Sequence, residues 1–298
     1  MTCRELYLLA RRRLQQAGVD SPGVDAALLA ERFLGLDRRG LALHGEEEAP
    51  AQNEAAFLQA LQEREARRPL QYILGEWEFM GLTLTLGEGV LVPREDTAVL
   101  VETVSRRLEG TPVPRGLDLC AGTGAVALGL LTLIPGLSAH CVEISQKALP
   151  YLEENLRRYG KGQVTAFPGD VLSRETVKGF APGSLDFLVS NPPYIATEEL
   201  STLQPEVREE PALALDGGPD GLVFYRAIAE LWLPLVRPGG VVGVEIGETQ
   251  GAQVAELFSN AGLKDVEITQ DWSGLDRVVS GVLPPSLTFP LPPAYRNL

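Results

Sequence analysis

The chain has 298 residues, of which 45% are hydrophobic and 22% charged, a balance typical of folded globular proteins and not of disordered chains. It carries 40 Asp and Glu against 26 Lys and Arg, a net charge of −14, which argues against a nucleic-acid substrate because affinity for phosphate backbones needs clustered cations. Three cysteines without paired spacing and two histidines argue against a zinc site, so we expect no metal and a reducing environment.

Residues 1–16 scatter Arg among Leu and lack the apolar core of a signal peptide. No apolar run along the sequence approaches the length needed to cross a membrane. We therefore expect a cytoplasmic protein that has no membrane partner.

The first part of the sequence, residues 1–72, predicts a small helical domain. Apolar residues recur at helical spacing before Gly18, a second helix follows Pro22 and ends at Gly35, and a third helix over residues 53–68 ends before Pro69. Residues 73–92 alternate in polarity around central glycines, which predicts a β-hairpin linker. A further helix is predicted to begin after Pro93.

From residue 115 the pattern changes to alternating short apolar strands and helices, which indicates an α/β domain over residues 93–284 with a mostly parallel sheet between helices. The last two strands are joined by a short turn and must be antiparallel neighbours. Residues 285–298 form a proline-rich tail. The predicted strands are 116–120, 138–144, 162–170, 184–190, 239–247, 264–272 and 276–283; the predicted helices between them are 124–134, 147–160, 221–236 and 250–262.

A glycine turn follows the first of these strands. Gly122 and Gly124 let the backbone pass close to a ligand, and the next helix points its N–H groups at that place. The spacing Gly122-x-Gly124-x-x-Ala127 also fits the relaxed dinucleotide pattern, and it fits a plain strand-to-helix connection.

Two carboxylates end the next two strands. Glu143, 19 residues beyond Gly124, is in the position of a ribose ligand, or else it is an acid that stabilises a helix start. Asp170 either accepts from an adenine amino group or caps the helix that follows it. At this point both NAD and S-adenosylmethionine remain open as cofactors.

The fourth strand end has the sequence Asn191-Pro192-Pro193-Tyr194. Both prolines have a fixed φ and no N–H, so the loop is stiff and rich in acceptors, namely the Asn191 side-chain oxygen and the Asn191 and Pro192 carbonyls. Such a loop suits an –NH₂ group, although a rigid turn with Tyr194 packed on the core is the plainer alternative.

Acceptors that grip both hydrogens of a planar amide can turn its nitrogen lone pair toward an electrophile, and Tyr194 can stack on the amide or favour a sulfonium cation. Alignment of two bound reactants lowers a barrier by roughly 7–11 kcal/mol, so no general base is required. Hydride transfer would call for an acid or base that is not evident here. The loop therefore favours S-adenosylmethionine over NAD.

Four segments resemble, in order, the release factor glutamine methyltransferases, the PrmC/HemK family of class I S-adenosylmethionine-dependent methyltransferases. They are residues 67–84, 90–102, 117–128 and 206–228, and the resemblance extends from about residue 5 to residue 282. It implies a Rossmann-like sheet of seven strands with an antiparallel final strand, plus the helical N-terminal domain.

The resemblance also implies an activity. A methyl group would pass from S-adenosylmethionine to the side-chain amide nitrogen (N5) of the glutamine in the Gly-Gly-Gln loop of bacterial class 1 peptide chain release factors, leaving S-adenosylhomocysteine. The N-terminal domain would dock the release factor. We expect no stable nucleic-acid partner and a monomer.

Site residues follow from the resemblance by position. Those expected to bind the cofactor are Cys120, Ala121, Gly122, Thr123 and Gly124 at the methionine moiety, Glu143 at the ribose, Asp170 and Val171 at the adenine, and Asn191. Those expected to bind the substrate are Arg94, Asn191, Pro192, Pro193 and Tyr194, of which Asn191, Pro192 and Tyr194 are expected to be catalytic.

The sequence departs from the family pattern at two places. Cys120 occupies a position where the family more often has glycine. Ala98 occupies a position where the family has an acid directly after the Pro-Arg-Glu-Asp-Thr motif, although this chain retains Arg94 and Glu95 of that motif. The first departure alters the expected cofactor pocket slightly, and the second assigns no role to the side chain at position 98.

Four competing functions are weighed against this one. A ribosomal-protein glutamine methyltransferase would share the loop and the domain plan, whereas an adenine N6-methyltransferase would need a basic groove and a base-flipping pocket. An NAD-dependent oxidoreductase would leave the loop at Asn191 without a role. A catalytically silent binding module would have no need of an intact Asn191 and Tyr194.

Overall fold

A computed structural model of the protein describes residues 1–285. The chain forms two compact units: a helical unit, Met1–Glu76 with Leu203–Glu209, and a sheet unit, Trp77–Thr202 with the described chain from Glu210. The predicted domain boundaries at residues 72, 92 and 284 stay predictions. The predicted proline-rich tail lies outside the described residues apart from its first residue.

Between Met1 and Glu76, the helical unit contains the three predicted helices and two shorter ones. Thr2 caps the first helix in a capping box with Glu5, and the second helix ends at Gly35 in a left-handed C-cap with φ 72°. The sequence missed a helix that begins after the cap at Asp37 and one that follows Pro69. The helices are α1 (Cys3–Gln16), α2 (Pro22–Leu34), α3 (Arg38–His44), α4 (Ala51–Glu65) and α5 (Leu70–Leu74).

A network of ion pairs joins α2, α4 and the segment Leu203–Glu209 inside the helical unit. Arg64 donates to Asp25 at 2.7 Å and to Glu206 at 2.9 Å. Arg67 donates to both carboxylate oxygens of Glu206, each at 2.7 Å. We call Asp25, Arg64, Arg67 and Glu206 the arginine network, in which two cations face two carboxylates.

The sheet unit is built on the predicted seven-stranded sheet, and the predicted fold class is confirmed. Its strands are β3 (Arg115–Leu119), β4 (Ser138–Glu143), β5 (Val164–Pro168), β6 (Leu185–Ser190), β7 (Val236–Glu245), β8 (Lys264–Gln270) and β9 (Asp276–Val282). They are ordered β5-β4-β3-β6-β7-β9-β8, and β9 is antiparallel to both of its neighbours. The predicted hairpin is present as β1 (Glu76–Phe79) and β2 (Leu82–Thr85).

Helices cover both faces of this sheet. The longer helices of the sheet unit are α6 (Thr97–Arg107), α7 (Ala125–Leu133), α8 (Leu149–Tyr159) and α12 (Gly251–Asn260), and its short ones are α9 (Arg174–Val177) and α11 (Val223–Ala227). A further short helix, α10 (Pro205–Arg208), belongs to the helical unit. One buried apolar cluster joins the sheet to α6, α7 and α8, and a second joins it to α11 and α12. Because β3 to β6 run parallel, their carboxyl ends meet at one edge of the sheet.

The sequence predicted one regular helix over residues 221–236, and this prediction is wrong. An α-helical turn, Val223–Ala227, continues as a π-helical turn, Ile228–Trp232, and ends as a 3₁₀ turn, Leu233–Leu235. Pro234 has no N–H to donate to an α-helical ladder. The buried Trp232 instead donates its indole N–H to the Val171 carbonyl at 2.8 Å.

Along residues 1–285, the structure contains no helix that is both long and apolar enough to span a membrane. The same residues present no cluster of three or more His, Cys, Asp or Glu side chains arranged to hold a metal ion.

Candidate active site

The glycine turn that follows β3 contains three residues with a left-handed backbone conformation. Cys120, Gly122 and Gly124 have φ values of 59°, 55° and 82°, and Gly124 forms the N-cap of α7. A side chain at Gly124 would place its Cβ 2.8 Å from Leu152 Cδ1. The left-handed φ favours glycine at 124, and a β-carbon there would also displace the end of the Leu152 side chain, while Cys120 adopts a backbone that a β-carbon disfavours.

Asn155, on α8, fixes the glycine turn to the hairpin. Its Nδ2 donates to the Thr123 carbonyl and to the Thr85 carbonyl, both at 3.0 Å, and its Oδ1 accepts from the Thr85 N–H at 2.8 Å. The side chain is fully buried, so these bonds are not shared with solvent. Asn155 thereby joins the glycine turn to β2 through three buried hydrogen bonds.

The Glu143 carboxylate lies against the glycine turn. Its Oε2 accepts from the Gly122 N–H at 2.8 Å and its Oε1 accepts from the Ser145 N–H at 2.7 Å. Each carboxylate oxygen has a second lone-pair site, so both oxygens can accept one further hydrogen bond. The two backbone bonds fix the orientation in which the carboxylate would meet a pair of ligand hydroxyls.

Asp170 does not cap the helix that follows it. Ser173 is the N-cap of α9, while the Asp170 carboxylate accepts from the Leu172 N–H at 2.8 Å. The alternative of a helix-capping role for Asp170 is therefore wrong. The neighbouring Val171 is buried, and its carbonyl anchors Trp232.

The loop that begins at Asn191 is fastened to the end of β3. The buried Ser190 hydroxyl donates to the Leu119 carbonyl at 2.7 Å, and Leu119 and Ser190 are register partners. Asn191 Nδ2 donates to the Thr97 hydroxyl at 3.2 Å, whereas the buried Asn191 Oδ1 has no partner among the described residues. The loop thus offers one unused acceptor beside the glycine turn.

The strand ends surround one cavity of about 230 Å³ in the sheet unit. Its walls include most of the predicted site residues: Cys120, Ala121, Gly122, Thr123, Glu143, Asp170, Val171, Asn191 and Pro193. Four predicted residues are not among the described residues that line it: Gly124, Pro192, Tyr194 and Arg94. The structure brings in several residues that the sequence did not predict: Val90, Thr97, Ser145, Pro211, Leu213 and Phe224.

Tyr194 and Arg94 are engaged elsewhere in the sheet unit. The Tyr194 ring packs against the second apolar cluster, and its burial raises the pKa of the phenol to about 12. Arg94 forms an ion pair with the buried Glu210, whose carboxylate also accepts from the Val92 N–H at 2.9 Å. The predicted stacking role of Tyr194 and the substrate role of Arg94 stay predictions.

Two buried carboxyls of the sheet unit, Asp118 and Glu245, do not line the cavity and form no ion pair with the residues that the structure describes. Burial raises the pKa of Asp118 to about 7 against the hydrogen bond from the Ala127 N–H. Burial likewise raises the pKa of Glu245 to about 7. Asp118 Oδ1 and Glu245 Oε2 have no partner among residues 1–285.

Comparison with known proteins assigns this architecture to a class. The Methyltransferase small domain model matches residues 95–216, and the PrmC N-terminal domain model matches residues 5–75. The first match includes the glycine turn, Glu143, Asp170 and the Asn191 loop. The hMettl16 catalytic domain, solved in complex with the MAT2A 3′UTR hairpin 6, shares the fold with a TM-score of 0.55 at 15% identity, over 80% of this chain and 84% of that one. The sheet unit is a methyltransferase of the Rossmann-like class.

Relatives that match nearly the whole chain define the family. The release factor glutamine methyltransferase of Moorella thermoacetica is 40% identical over 279 residues, which cover 93% of this chain and 97% of the relative. That of Caulobacter vibrioides is 37% identical over 286 residues, or 96% and 98% of the two chains. The chain belongs to the release factor glutamine methyltransferase family.

Sequence reasoning missed the partners that hold the predicted residues in place. Thr97, Asn155, Ser190 and Glu210 are buried polar residues whose bonds reach the glycine turn, the Asn191 loop or the Val92 backbone. Thr97 and Glu210 lie in segments quoted for the family resemblance, which was the available signal. For Asn155, inside an amphipathic helix, the sequence offers no signal of its own.

Proposed function

We propose that this chain transfers a methyl group from S-adenosylmethionine to the side-chain amide nitrogen of the glutamine in the Gly-Gly-Gln motif of bacterial peptide chain release factors. One observation carries the proposal: Asn191 lines the cavity next to the glycine turn while its buried Oδ1 has no partner in the described structure. A buried acceptor without a partner is destabilising by about 1–3 kcal/mol unless a ligand supplies the donor.

The residues of the cavity fit the cofactor. The Glu143 carboxylate is oriented by two backbone bonds and retains acceptor sites for the ribose hydroxyls. The glycine turn exposes backbone to a methionine moiety, and Asp170 with Val171 would lie at the adenine. When bound, S-adenosylmethionine supplies a methyl group on a sulfonium sulfur, and the electron pair of the broken C–S bond stays on the sulfur of S-adenosylhomocysteine.

The protein's task is to orient a poor nucleophile. An amide nitrogen delocalises its lone pair into the carbonyl, and acceptors that hold its two hydrogens can direct that lone pair out of the amide plane. Asn191 Oδ1 is one such acceptor, and the Pro192 carbonyl is proposed as the second. The proton released from the methylated nitrogen passes to water, which agrees with the lack of a histidine among the described residues that line the cavity.

The release factor is favoured over a nucleic-acid adenine. Relatives that match more than nine-tenths of this chain are named release factor glutamine methyltransferases, which supports a protein glutamine over an adenine. The net charge of −14 disfavours nucleic acid. We further propose that the helical unit docks the release factor and that the enzyme acts as a monomer.

The test is a methyl-transfer assay with labelled S-adenosylmethionine and three separate substrates: a release factor, ribosomal proteins and DNA. We expect label only in the release factor, and peptide fragmentation should place the added mass on the glutamine of its Gly-Gly-Gln motif. Label confined to a ribosomal protein or to DNA would overturn the proposal.

The variant Asn191→Ala should lower the transfer rate by about 10²–10³-fold, the usual loss when one oriented polar group is removed from a reacting centre. Its affinity for S-adenosylmethionine, measured by calorimetry, should stay within about twofold. Asn260→Ala, at an exposed position at the end of α12, is the matched control and should retain the full rate. An Asn191→Ala protein that keeps most of its rate would show that this acceptor does not hold the substrate.

A further inference from the structure

Glu210 joins two segments of the cavity wall that lie far apart in the sequence. Its Oε2 accepts from the Val92 N–H at 2.9 Å, and its Oε1 accepts from the Arg94 guanidinium. We call these three residues the Glu210 bridge. The residues beside them that line the cavity include Leu91, Pro93, Pro211, Leu213 and Ala214. One carboxylate therefore holds together two parts of the wall that are 118 residues apart, counted from Val92 to Glu210.

The Glu210 bridge has one buried partner and one partner that reaches solvent. The Glu210 side chain is 2% exposed, whereas the Arg94 side chain is 37% exposed. A buried carboxylate is tolerated when hydrogen bonds and a cation replace its water shell, and here each of its oxygens has a donor. Because water can compete for the guanidinium of Arg94, the bridge is a contact that can open and close.

Residues 211–214, which we call the strap, are held at both ends. Glu210 directly precedes the strap, and Leu215 directly follows it. The Leu215 carbonyl accepts from the Ile195 N–H at 3.0 Å, and Ile195 is the first residue after the Asn191 loop. The strap thus extends from the Glu210 bridge at its start to the Asn191 loop at its end.

Between its two ends the strap contains a single short turn. This 3₁₀ turn comprises Ala212–Ala214, and the Ala214 N–H donates to the Pro211 carbonyl at 2.8 Å. Leu213 lines the cavity although it is 54% exposed. A short segment with exposed side chains opens at a low free energy unless its ends are fixed. The position of the strap in the cavity wall therefore depends on its end contacts, and Glu210 supplies the contact at its start.

We propose that Glu210 is a positioning residue that fixes the strap in the cavity wall and thereby limits the rate at which S-adenosylmethionine leaves the protein. The inference rests on the proposed function only for the place of the cofactor in this cavity, and it does not depend on the release factor. While the bridge is formed, Pro211 and Leu213 separate the cavity from solvent. When the bridge breaks, the start of the strap is released and the cofactor exchanges faster.

The first test measures the dissociation of labelled S-adenosylmethionine after the unlabelled compound is added in excess. Glu210→Gln keeps an oxygen for the Val92 N–H but removes the charge that binds Arg94, so dissociation should become about tenfold faster. The association rate and the one-to-one stoichiometry should stay nearly unchanged. Glu209→Gln, at the exposed neighbouring glutamate, is the matched control and should dissociate at the original rate.

Three results of this test would overturn the proposal. The first is a Glu210→Gln protein that releases the cofactor as slowly as the unchanged protein does. The second is an equal acceleration in Glu209→Gln. The third is a loss of binding sites in Glu210→Gln with no change in the dissociation rate, which would indicate a merely structural role.

The second test asks whether Arg94 and Glu210 act as one unit. Arg94→Ala and Glu210→Ala should each accelerate cofactor dissociation by about 10–100-fold, the usual effect of losing a hydrogen bond to a charged group. The double variant should be no faster than the faster single variant, because either change alone already breaks the bridge. Arg94→Lys retains a cation and should release the cofactor more slowly than Arg94→Ala does. Effects that multiply in the double variant would show that the two residues act separately and would overturn the proposal.

The third test uses the protein without cofactor or substrate. Backbone hydrogen exchange over residues 210–216, followed by mass spectrometry, should be about tenfold faster in Glu210→Gln than in the unchanged protein. A peptide from α12 is the internal control and should exchange at the same rate in both proteins. Unchanged exchange over residues 210–216, or an equal acceleration in α12, would refute the role of Glu210. If dissociation and exchange change as expected but no release factor is methylated, the proposed substrate fails and this inference stands.

Discussion

Glu206 in the helical unit and Glu245 in the sheet unit are both carboxyl groups withdrawn from solvent, but their neighbours differ. Burial alone would raise the pKa of Glu206, yet hydrogen bonds from Arg67 and Arg64 outweigh it and lower the pKa to about 2. Around Glu245 the nearby arginines bind other acids, and its pKa rises to about 7. The charge of Glu206 is therefore neutralised by two arginines, whereas Glu245 forms no ion pair with the described residues.

The difference separates carboxylates that are paired with arginines from buried polar atoms that have no hydrogen-bond partner in the described structure. In the arginine network, each carboxylate accepts from at least one guanidinium. In the sheet unit, Asp118, Asn191 and Glu245 each keep one buried oxygen without a hydrogen-bond partner among residues 1–285, and of these three only Asn191 lines the cavity. An unpaired buried polar atom lowers stability, and the one on Asn191 is expected where a ligand in the cavity supplies the missing donor.

The largest effect on stability is expected from removing a cation of the arginine network. Arg64→Ala removes the partner of Asp25 and one partner of Glu206, and it should lower the free energy of unfolding by about 3–5 kcal/mol, the usual result of leaving a buried charge unpaired. Urea denaturation measures this. Arg174→Ala, which breaks an exposed pair with Glu230, is the control and should change it by less than about 1 kcal/mol. Similar losses in both variants would contradict the distinction.

The pH dependence of stability should have opposite signs in the two regions. Glu245 has a folded pKa raised from 4.5 to about 7, so between these values the folded state holds a proton that the unfolded state has released, and stability falls as the pH rises. Glu206 has a folded pKa lowered to about 2, so its contribution is present above pH 4.5 and is lost as the pH falls toward 2.

Two glutamine variants check these signs by denaturation at about pH 5 and about pH 8. Relative to the unchanged protein, Glu245→Gln should gain up to about 3 kcal/mol on going to the higher pH, at about 1.4 kcal/mol per pKa unit. Glu206→Gln should be destabilised at both pH values. A Glu245→Gln protein whose stability shows the same pH dependence as the unchanged chain would mean that Glu245 does not titrate in this range.

The smallest effect concerns backbone strain at the cavity. Cys120 has φ 59°, and Cys120→Gly should raise the free energy of unfolding by about 1 kcal/mol because glycine adopts this conformation freely. Lys161→Gly relieves a similar φ of 52° at an exposed position that is not among the described residues lining the cavity, and it serves as the matched control. If only Lys161→Gly is stabilising, the Cys120 side chain has compensating contacts in the pocket.

The sequence predicted the sheet and the strand-end residues because both depend on local patterns. Alternating apolar strands and helices require a parallel sheet, and a parallel sheet brings Gly122, Glu143, Asp170 and Asn191 to one edge without any knowledge of packing. The short helix α3 was missed because its seven residues contain a glycine and no apolar period.

The supporting residues could not be predicted because their partners are distant in the chain. Thr97 and Asn191 are 94 residues apart, and Val92 and Glu210 are 118 apart. Nothing in the composition around Thr97 indicates that its hydroxyl accepts from an asparagine that far away. For Tyr194 the local sequence was misleading. Its position three residues after Asn191 predicted a place in the cavity, but in the structure its ring packs against the second apolar cluster and is not among the described residues that line the cavity.

The assignment of Leu203–Glu209 to the helical unit has a consequence for truncation. A gene fragment that starts at Trp77 would still encode Glu206 but would delete both arginines that neutralise it. Glu206, a few residues before Glu210 and Pro211, would then lack both of its arginine partners. The catalytic portion is therefore not a separable module, and insertions or fusions should preserve residues 1–76 on the same polypeptide.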